Sequence, residues 1–230
     1  MKELLDQEIR IADESFSSAL PFREVSKYIR FPKDVKGLTI VGIGEGASTA
    51  TLELKRQRAN AIAIDYRYGN LEEVTNAMEK LFSSKGVYQD DSFKLAREYV
   101  ELSRKTRDEF FEAHKNKQLQ LIAAYAGNLP FRDESVNFIF SMSCISRYLI
   151  NDRNVFMNAI SEIIRVLKPG GQIQLYPWIN KSHRFGEAQK KNAQELIDYI
   201  EKHGMSYFAE EVETDHLLSA PRLRIIKPDN

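Results

Sequence analysis

Residues 37–49 read Gly-Leu-Thr-Ile-Val-Gly-Ile-Gly-Glu-Gly-Ala-Ser-Thr, and residues 61–68 read Ala-Ile-Ala-Ile-Asp-Tyr-Arg-Tyr. Within the first segment, Leu38–Val41 is a short apolar run with β-branched residues, which predicts a buried strand. Three glycines follow this strand at alternate positions, namely Gly42, Gly44 and Gly46. Glycine permits positive φ and lets a ligand approach the backbone closely, so the segment indicates a strand that ends in a binding turn.

A helix, a second strand and an acidic residue follow the glycine-rich turn. Ser48 or Thr49 can cap a helix that runs to about Arg58, and the free N–H groups of its first turn would face the glycines. The apolar run Ala61–Ile64 predicts the second strand, which ends in Asp65. An acid about 20 residues beyond a glycine-rich turn suits the two hydroxyls of a ribose. The order of these parts indicates a nucleotide site.

The composition fits one globular domain of 230 residues. A hydrophobic content of 43% is sufficient for a core, and no apolar run is long enough to cross a membrane. The 33 basic and 33 acidic residues cancel, which makes nucleic acid an improbable partner. The single cysteine, Cys144, excludes an intramolecular disulfide and a cysteine-based zinc cluster, and we expect no metal. With an acidic start that lacks a signal sequence, these features predict a cytoplasmic protein.

Strands and helices alternate along the rest of the chain. The remaining predicted strands are Leu119–Ala124, Val136–Met142, Gln172–Tyr176, Met205–Glu213 and His216–Ile226. The remaining predicted helices span Asn70 to about Ser83, Asp90–Ser92 to about Lys117, Asn151 or Asp152 to Leu167, and about Gly186 to His203. Lys168–Gly171 is predicted to stop the helix before it. This alternation predicts an α/β, Rossmann-like three-layer sandwich with a mostly parallel seven-stranded sheet and a C-terminal antiparallel hairpin.

The chain is predicted to form a single domain, residues 1–230, with two additions. Residues 1–36 have apolar positions at roughly helical spacing, which predicts a helical cap; a lid that contacts substrate is the alternative. Residues 70–118 predict a helical insertion that is longer than a crossover needs. Its dense charge is typical of a solvated helix face with paired side chains. A homodimer contact and a wall of the substrate site are the alternatives.

Parallel strands joined by right-handed crossovers end at one edge of the sheet, where ligands bind. We expect five segments at this edge, namely Gly42–Gly46, Asp65, Tyr125–Asn128, Ser141–Arg147 and Tyr176–Trp178. Their convergence predicts a single cleft. Within it, Arg147 and Tyr148 are candidates for holding an anionic substrate, and Tyr176 and Trp178 are candidate walls.

With these residues in view, the chain resembles the class I S-adenosylmethionine-dependent methyltransferases. It is most similar to the small-molecule branch with a Leu-Pro-Phe turn, the methyltransferase domain 11 type. The matching segments are the Gly42–Gly46 turn, Asp65, Asn128–Phe131, Leu167–Gly171 and the terminal hairpin. The resemblance covers about Gly37 to Asn230, apart from Leu71–Lys117. It implies that the protein uses S-adenosylmethionine, releases S-adenosylhomocysteine and methylates a small molecule.

The resemblance also implies roles for single residues. The glycine turn, with Glu45, would lie under the methionine part of the cofactor. Asp65 would bind both ribose hydroxyls, and Tyr66 would stack on adenine. The other wall of the adenine site would consist of Tyr125, Ala126, Gly127 and Asn128. The backbone from Ser141 to Ser143 would meet the amino acid end.

Catalysis of methyl transfer needs few side chains beyond those that position the reactants. His183, after the fifth strand, is a candidate general base for an acceptor hydroxyl, and a solvated loop histidine is the alternative. Cys144 lies just past the fourth strand, where a free cysteine more often acts as a small hydrophobe than as a nucleophile.

Three positions depart from the family pattern. Ile40 stands where an acid usually precedes the first glycine, Tyr125 where an Asp usually faces adenine, and Asn137 where an Asp often begins the fourth strand. The loss of two carboxylates near a cationic sulfonium should weaken binding, by roughly 1.5–3 kcal/mol for each lost charge-assisted hydrogen bond. Glu45 is a candidate to restore a charge near the turn.

Three other functions stay open on the sequence. The missing acids favour a methyltransferase-like protein that no longer catalyses and works as a binding or regulatory module. A basic patch after the fifth strand would suit an RNA or protein methyltransferase. Gly42-x-Gly44-x-x-Ala47 with Asp65 also satisfies the fingerprint of an NAD-binding Rossmann enzyme.

Overall fold

The computed structural model describes residues 19–76, 94–178, 186–212 and 220–229. These residues form one seven-stranded sheet in the order β3-β2-β1-β4-β5-β7-β6. The strands are β1 Thr39–Ile43, β2 Asn60–Ile64, β3 Leu121–Ile122, β4 Val136–Met142, β5 Leu167–Tyr176, β6 Ser206–Glu211 and β7 Pro221–Ile226. Strands β1 to β5 pair in parallel, whereas β7 is antiparallel to both β5 and β6. The predicted mostly parallel sheet with a terminal hairpin is therefore confirmed.

Helices cover both faces of the sheet, which gives the predicted three layers. They are α1 Phe22–Tyr28, α2 Ala50–Arg56, α3 71–76, α4 Lys94–Lys115, α5 Arg153–Val166 and α6 Glu187–Lys202. Apolar residues of α5 and α6 pack on one face of the sheet, against Val41 and Ile139 among others. Residues of α1 and α2 pack on the other face, against Ile40 and Phe138. No helix in the described ranges is long and apolar enough to span a membrane.

Helix α5 shows how local sequence sets an element that later supports the site. The side chain of Asp152 accepts hydrogen bonds from the amides of Asn154 at 2.9 Å and Val155 at 3.1 Å, so it caps the helix as predicted. Buried residues at helical spacing, such as Phe156 and Ile160, then face the sheet.

The segment Lys168–Gly171 differs from its prediction. It ends α5, but it already belongs to β5, which begins at Leu167 rather than Gln172. The pairing register with β4 shifts here, as in a β-bulge, and Gly170 has a φ of 69°. The Gly170 amide donates to the carbonyl of Lys227 at 3.1 Å, so the bulge is held by the residue that directly follows β7. Strand β3 is also shorter than predicted.

The two predicted additions are described in part. Residues 1–18 and 77–93 lie outside the described residues, as do the predicted caps of the long helix at Asp90 to Ser92. Val25 of α1 and Ile29, which directly follows this helix, are buried against the sheet. In α4, Phe110 is buried with Ala47 and Val74. Since α4 packs one face on its own chain, its charged outer face remains the predicted candidate for a dimer contact.

Candidate active site

The carboxyl ends of β1 and β2 bring the glycine turn to Asp65. Gly42 pairs with Ala63 of β2 and with Phe140 of β4, and the chain leaves the sheet one residue later, after Ile43. The Gly44 amide donates to the carbonyl of Ile64 at 2.7 Å. Gly44 has a φ of 70°, a conformation that an L side chain rarely adopts. The turn is thus fixed beside the end of β2.

Asp65 is held in place by two backbone amides. Its Oδ2 accepts from Gly46 at 3.2 Å, its Oδ1 accepts from Arg67 at 3.0 Å, and the residue is 7% exposed. A carboxylate has about four lone-pair positions, so two are left for further donors. Asp65 therefore has the orientation and the free acceptor capacity that a ribose needs.

Tyr68 has a role at the glycine turn that the sequence did not predict. Its hydroxyl donates to the carbonyl of Gly46 at 2.7 Å, and burial raises its pKa well above the usual range. It therefore stays a donor that braces the glycine turn from the 3₁₀ turn Tyr66–Gly69. The only sequence signal is its place three residues after Asp65.

Two side chains fill the space beside the glycines. A Cβ built on Gly44 would lie 2.3 Å from Cβ of Cys144, and one built on Gly42 would lie 2.5 Å from Cδ of Glu45. A side chain at Gly44 would therefore clash with Cys144, and one at Gly42 would displace the Glu45 carboxyl. Burial raises the pKa of Cys144 to about 12, so the thiol stays protonated and serves as packing, not as a nucleophile.

Tyr66 and Tyr125 lie against each other at the rim of the site. Their ring centroids are 5.6 Å apart with an interplanar angle of 9°, and Tyr125 is 71% exposed. The guanidinium carbon of Arg67 lies 5.0 Å from the Tyr66 ring centroid. Exposed stacked rings at a strand edge form a surface on which a planar base can stack. The structure thus brings together two of the predicted adenine contacts.

The rest of that turn is anchored from α5. Ala126 is buried, Asn128 is exposed, and the Asn128 amide donates to the carbonyl of Tyr125 at 2.9 Å. Asn158 of α5 donates to the carbonyl of Gly127 at 3.1 Å, and a Cβ on Gly127 would lie 2.4 Å from its Nδ2. Helix α5 thereby holds the turn that follows Tyr125.

The end of β4 forms the third side of the site. The Ser141 hydroxyl accepts from the amide of Ile145 at 3.3 Å, and the Ser143 amide donates to the carbonyl of Tyr176 at 2.6 Å. Ser143 has a φ of 67°, and a π-helical turn, Cys144–Tyr148, follows it. Both features are found more often at functional sites than elsewhere.

The predicted substrate residues divide into three groups. Tyr176 is buried with its ring centroid 4.6 Å from that of Tyr28, and burial raises its pKa to about 12. Trp178 is buried in the cluster on the opposite face of the sheet. The side chains of Arg147 and Tyr148, and the whole of His183, lie outside the described part of the chain. Substrate contact and general base catalysis by these residues remain predictions.

Two of the three departures are explained by their surroundings. Ile40 is fully buried in the apolar cluster beneath α1 and α2. Asn137 accepts from the amide of Thr39 at 3.0 Å and from Nζ of Lys168 at 3.3 Å. It lies at the amino end of β4, away from the glycine turn. Its side chain therefore supports the bulge at the amino edge of the sheet. In the described ranges no group of three or more metal-ligating side chains is arranged to hold a metal ion.

Part of the chain is similar in sequence to known methyltransferases. Residues 91–175 match the family model for the methyltransferase domain named Methyltransf_11. The chain is 36% identical over 76 residues to the probable tRNA methyltransferase 9B of Mus musculus and 40% identical over 63 residues to that of Bos taurus. These alignments cover 32% and 27% of this chain but only 17% and 14% of the relatives.

Solved structures with a similar fold include two methyltransferases. A 1,6-didemethyltoxoflavin-N1-methyltransferase from Burkholderia thailandensis, with 1,6-didemethyltoxoflavin and S-adenosylhomocysteine bound, gives a TM-score of 0.54 at 11% identity over 99% of this chain and 89% of that chain. A magnesium protoporphyrin IX methyltransferase from Synechocystis with bound cofactor gives 0.51 at 12% identity over 90% and 77% of the two chains. At such identities the likeness is one of fold.

Proposed function

We propose that the chain transfers a methyl group to a small molecule. By fold and domain match it is a class I S-adenosylmethionine-dependent methyltransferase, as its sequence predicted. Its cofactor is S-adenosylmethionine. The cofactor site that we propose is the carboxyl edge of β1, β2 and β4. One observation carries this proposal. Asp65 is presented by two backbone amides, beside a glycine turn, with acceptor positions to spare.

The residues present fit the cofactor. Gly42 and Gly44 supply backbone without side chains of their own, and the Glu45 carboxyl beside them has oxygens without hydrogen-bond partners among the described residues. Asp65 would hold the ribose. When bound, S-adenosylmethionine supplies a methyl group on a positively charged sulfur, which an acceptor lone pair can attack. The task of the chain is then to hold cofactor and acceptor in line, which can account for several kcal/mol of the barrier.

Adenine would stack on Tyr66 with Tyr125 on its other face. A planar base between two rings needs about 7 Å, twice the carbon contact distance of about 3.5 Å, whereas the centroids are 5.6 Å apart. Tyr125 therefore has to move outward, and its high exposure leaves room for that movement. In this arrangement stacking replaces the hydrogen bond that an Asp at position 125 would make.

A small-molecule acceptor is supported by charge and by a structural relative. The 33 basic and 33 acidic residues give no overall attraction for a polyanion. The structural relative from Burkholderia thailandensis holds a small molecule beside the cofactor product. A tRNA acceptor is the second candidate, because the curated relatives are probable tRNA methyltransferases.

The first test is a binding panel measured by calorimetry. We expect S-adenosylmethionine and S-adenosylhomocysteine to bind with micromolar affinity and a nicotinamide dinucleotide not to bind. The opposite pattern would support the NAD-binding alternative. Binding of the two methyl-cycle ligands without turnover on any acceptor would support the inactive binding protein.

The acceptor is tested with cofactor that carries a labelled methyl group. Matched reactions would contain either a pool of small metabolites or unmodified tRNA transcripts, each at low and high salt. Label in the small-molecule fraction supports the proposal. Label in tRNA, with binding that weakens steeply as salt rises, would replace it with the RNA candidate.

A further inference from the structure

The carboxyl group of Glu45 folds back onto strand β1. A Cβ built on Gly42 would lie 2.5 Å from Cδ and 2.6 Å from Oε2 of Glu45, and Glu45 is 4% exposed. Gly42 does not have a positive φ, so a side chain at this position would conflict with the Glu45 carboxyl and not with the backbone conformation. The turn therefore holds a buried acid directly against the backbone.

Glu45 lies on the face of β1 from which the family acid is missing. Alternate residues of a strand share a face, so Ile40 and Gly42 project to the same side. Ile40 fills an apolar cluster there, whereas Gly42 leaves a space next to it that the Glu45 carboxyl occupies. The chain thus carries a carboxyl group on that face, one step closer to the edge where ligands bind.

The carboxyl oxygens of Glu45 have no hydrogen-bond partner among the described residues. The hydroxyls of Ser48 and Thr51 and the backbone amide of Thr51 lie near enough to lower its pKa, yet none of the three makes a well-formed bond to it. Ser48 donates its proton to the carbonyl of Leu20 at 2.8 Å, and the Thr51 hydroxyl is also without a partner in the described ranges. Buried polar atoms normally have partners, so a buried carboxyl group without them beside a ligand turn indicates a partner that comes from a ligand.

The surroundings of Glu45 favour its neutral form. Burial raises the pKa of Glu45 to about 8, and the charge of Asp65 contributes to the rise. Two other titratable side chains lie at the glycine turn, namely Tyr68 of the 3₁₀ turn and Cys144 of the π-helical turn. Burial raises the pKa of each of them. The positive charge of Arg67 lowers the pKa of Cys144, but by less than burial raises it. At pH 7 the free protein therefore keeps a proton on Glu45.

We propose that Glu45 receives the α-ammonium group at the methionine end of S-adenosylmethionine, in place of the acid that position 40 lacks, and loses its proton when that cation binds. The inference rests on the proposed function. An ammonium group brings three N–H donors and a positive charge, which are what the buried carboxyl lacks. A positive charge within about 4–6 Å favours the ionised carboxylate, and the resulting bond is charge-assisted. The proton goes to solvent.

The test is proton release on binding, measured by calorimetry at pH 7 in buffers of different ionisation enthalpy. The wild-type protein should release about nine-tenths of a proton per cofactor, the fraction expected from a pKa of about 8. Its affinity should rise nearly tenfold per pH unit between about pH 5.5 and 7. Glu45→Gln should release none and bind with little pH dependence. Glu53→Gln, on the partly exposed side of α2, is the matched control and should behave as wild type.

Two further ligands locate the interaction. S-adenosylhomocysteine keeps the ammonium group but has a neutral sulfur, so it should release the same proton. Methylthioadenosine lacks the amino acid end, so it should bind without release. Release with S-adenosylmethionine alone would assign Glu45 to the sulfonium and overturn the inference.

The outcomes separate this inference from the proposed function. Binding of S-adenosylmethionine to the wild-type protein without proton release overturns the role of Glu45 and leaves the cofactor site standing. Release that persists in Glu45→Gln also overturns it. Absence of cofactor binding overturns both. The wild-type measurement needs no variant, so it decides the question even if Glu45→Gln folds poorly.

Discussion

The glycine turn Gly42–Gly46 and the bulge Lys168–Gly171 are both rich in glycine but differ in how their polar atoms are paired. In the bulge, Nζ of Lys227 donates to the carbonyls of Leu167 at 2.9 Å and Ile164 at 3.2 Å. Lys168 bonds to Asn137 in the same region. At the glycine turn, by contrast, the Glu45 carboxyl is left without partners among the described residues. The comparison teaches that a glycine-rich segment with unused polar atoms suits a ligand, whereas one whose polar atoms are paired within the chain supports the fold.

The largest effect should come from removing the acid beside the glycine turn. Asp65→Ala should lose two charge-assisted hydrogen bonds to a ribose, about 3–6 kcal/mol together, which is a hundredfold or greater loss of cofactor affinity. Calorimetry would measure the loss. Asp198→Ala, at an exposed position of α6, is the control. Unchanged affinity in Asp65→Ala would show that the cofactor binds elsewhere.

The buried carboxyl of Glu45 should also make stability depend on pH without any ligand. Its pKa rises from an ordinary 4.5 to about 8 on folding, so the folded state holds a proton that the unfolded state loses. The contribution of this proton to the free energy of unfolding has its full value below about pH 4.5. It declines as pH rises toward 8, by about 1.4 kcal/mol per pH unit at most.

Denaturant unfolding of wild type and Glu45→Gln at pH 5.5 and 8 measures this effect. We expect the variant to gain stability relative to wild type by a few kcal/mol between the two pH values. A difference between the two proteins that does not change with pH would show that Glu45 is already ionised in the free protein.

A mutation that removes contacts of the bulge should lower the free energy of unfolding and leave cofactor affinity unchanged. Lys227→Met removes donors to two carbonyls and the ion pair with Glu134 at 3.1 Å, which should cost about 1–3 kcal/mol of unfolding free energy. Thermal unfolding would record the loss, while cofactor affinity of the folded variant should stay as in wild type. A fall in affinity larger than the fall in stability would contradict the separation of the two segments.

The smallest effect concerns the rim of the site. Tyr125→Ala should weaken cofactor binding by about 1 kcal/mol, roughly fivefold, because it removes one stacking face. Tyr125→Phe keeps that face and should bind as wild type. Since Tyr125 is 71% exposed, neither variant should change the unfolding temperature. Equal affinity in all three proteins would remove Tyr125 from the adenine site.

Much of the architecture could be predicted because local sequence decides it. Strand β4 has the bounds that were predicted, and α5 begins after the predicted cap at Asp152. The Lys168–Gly171 segment could not be predicted as part of a strand, because its pairing depends on β4 and on Lys227, which lie far away in the sequence. The same holds for the site, where Asp65 was predicted from spacing but Tyr68 was not.

The sequence by itself determined the order of strands and helices, the glycine turn and the acid that ends the second strand. Spacing and residue type suffice for these features, because they reflect periodicity and backbone freedom. Only the tertiary structure decided that Glu45 lies against Gly42, that Asn137 serves the bulge, and that Cys144 is packing. These roles depend on burial and on which atoms meet across the sheet, and contacts between distant segments set both.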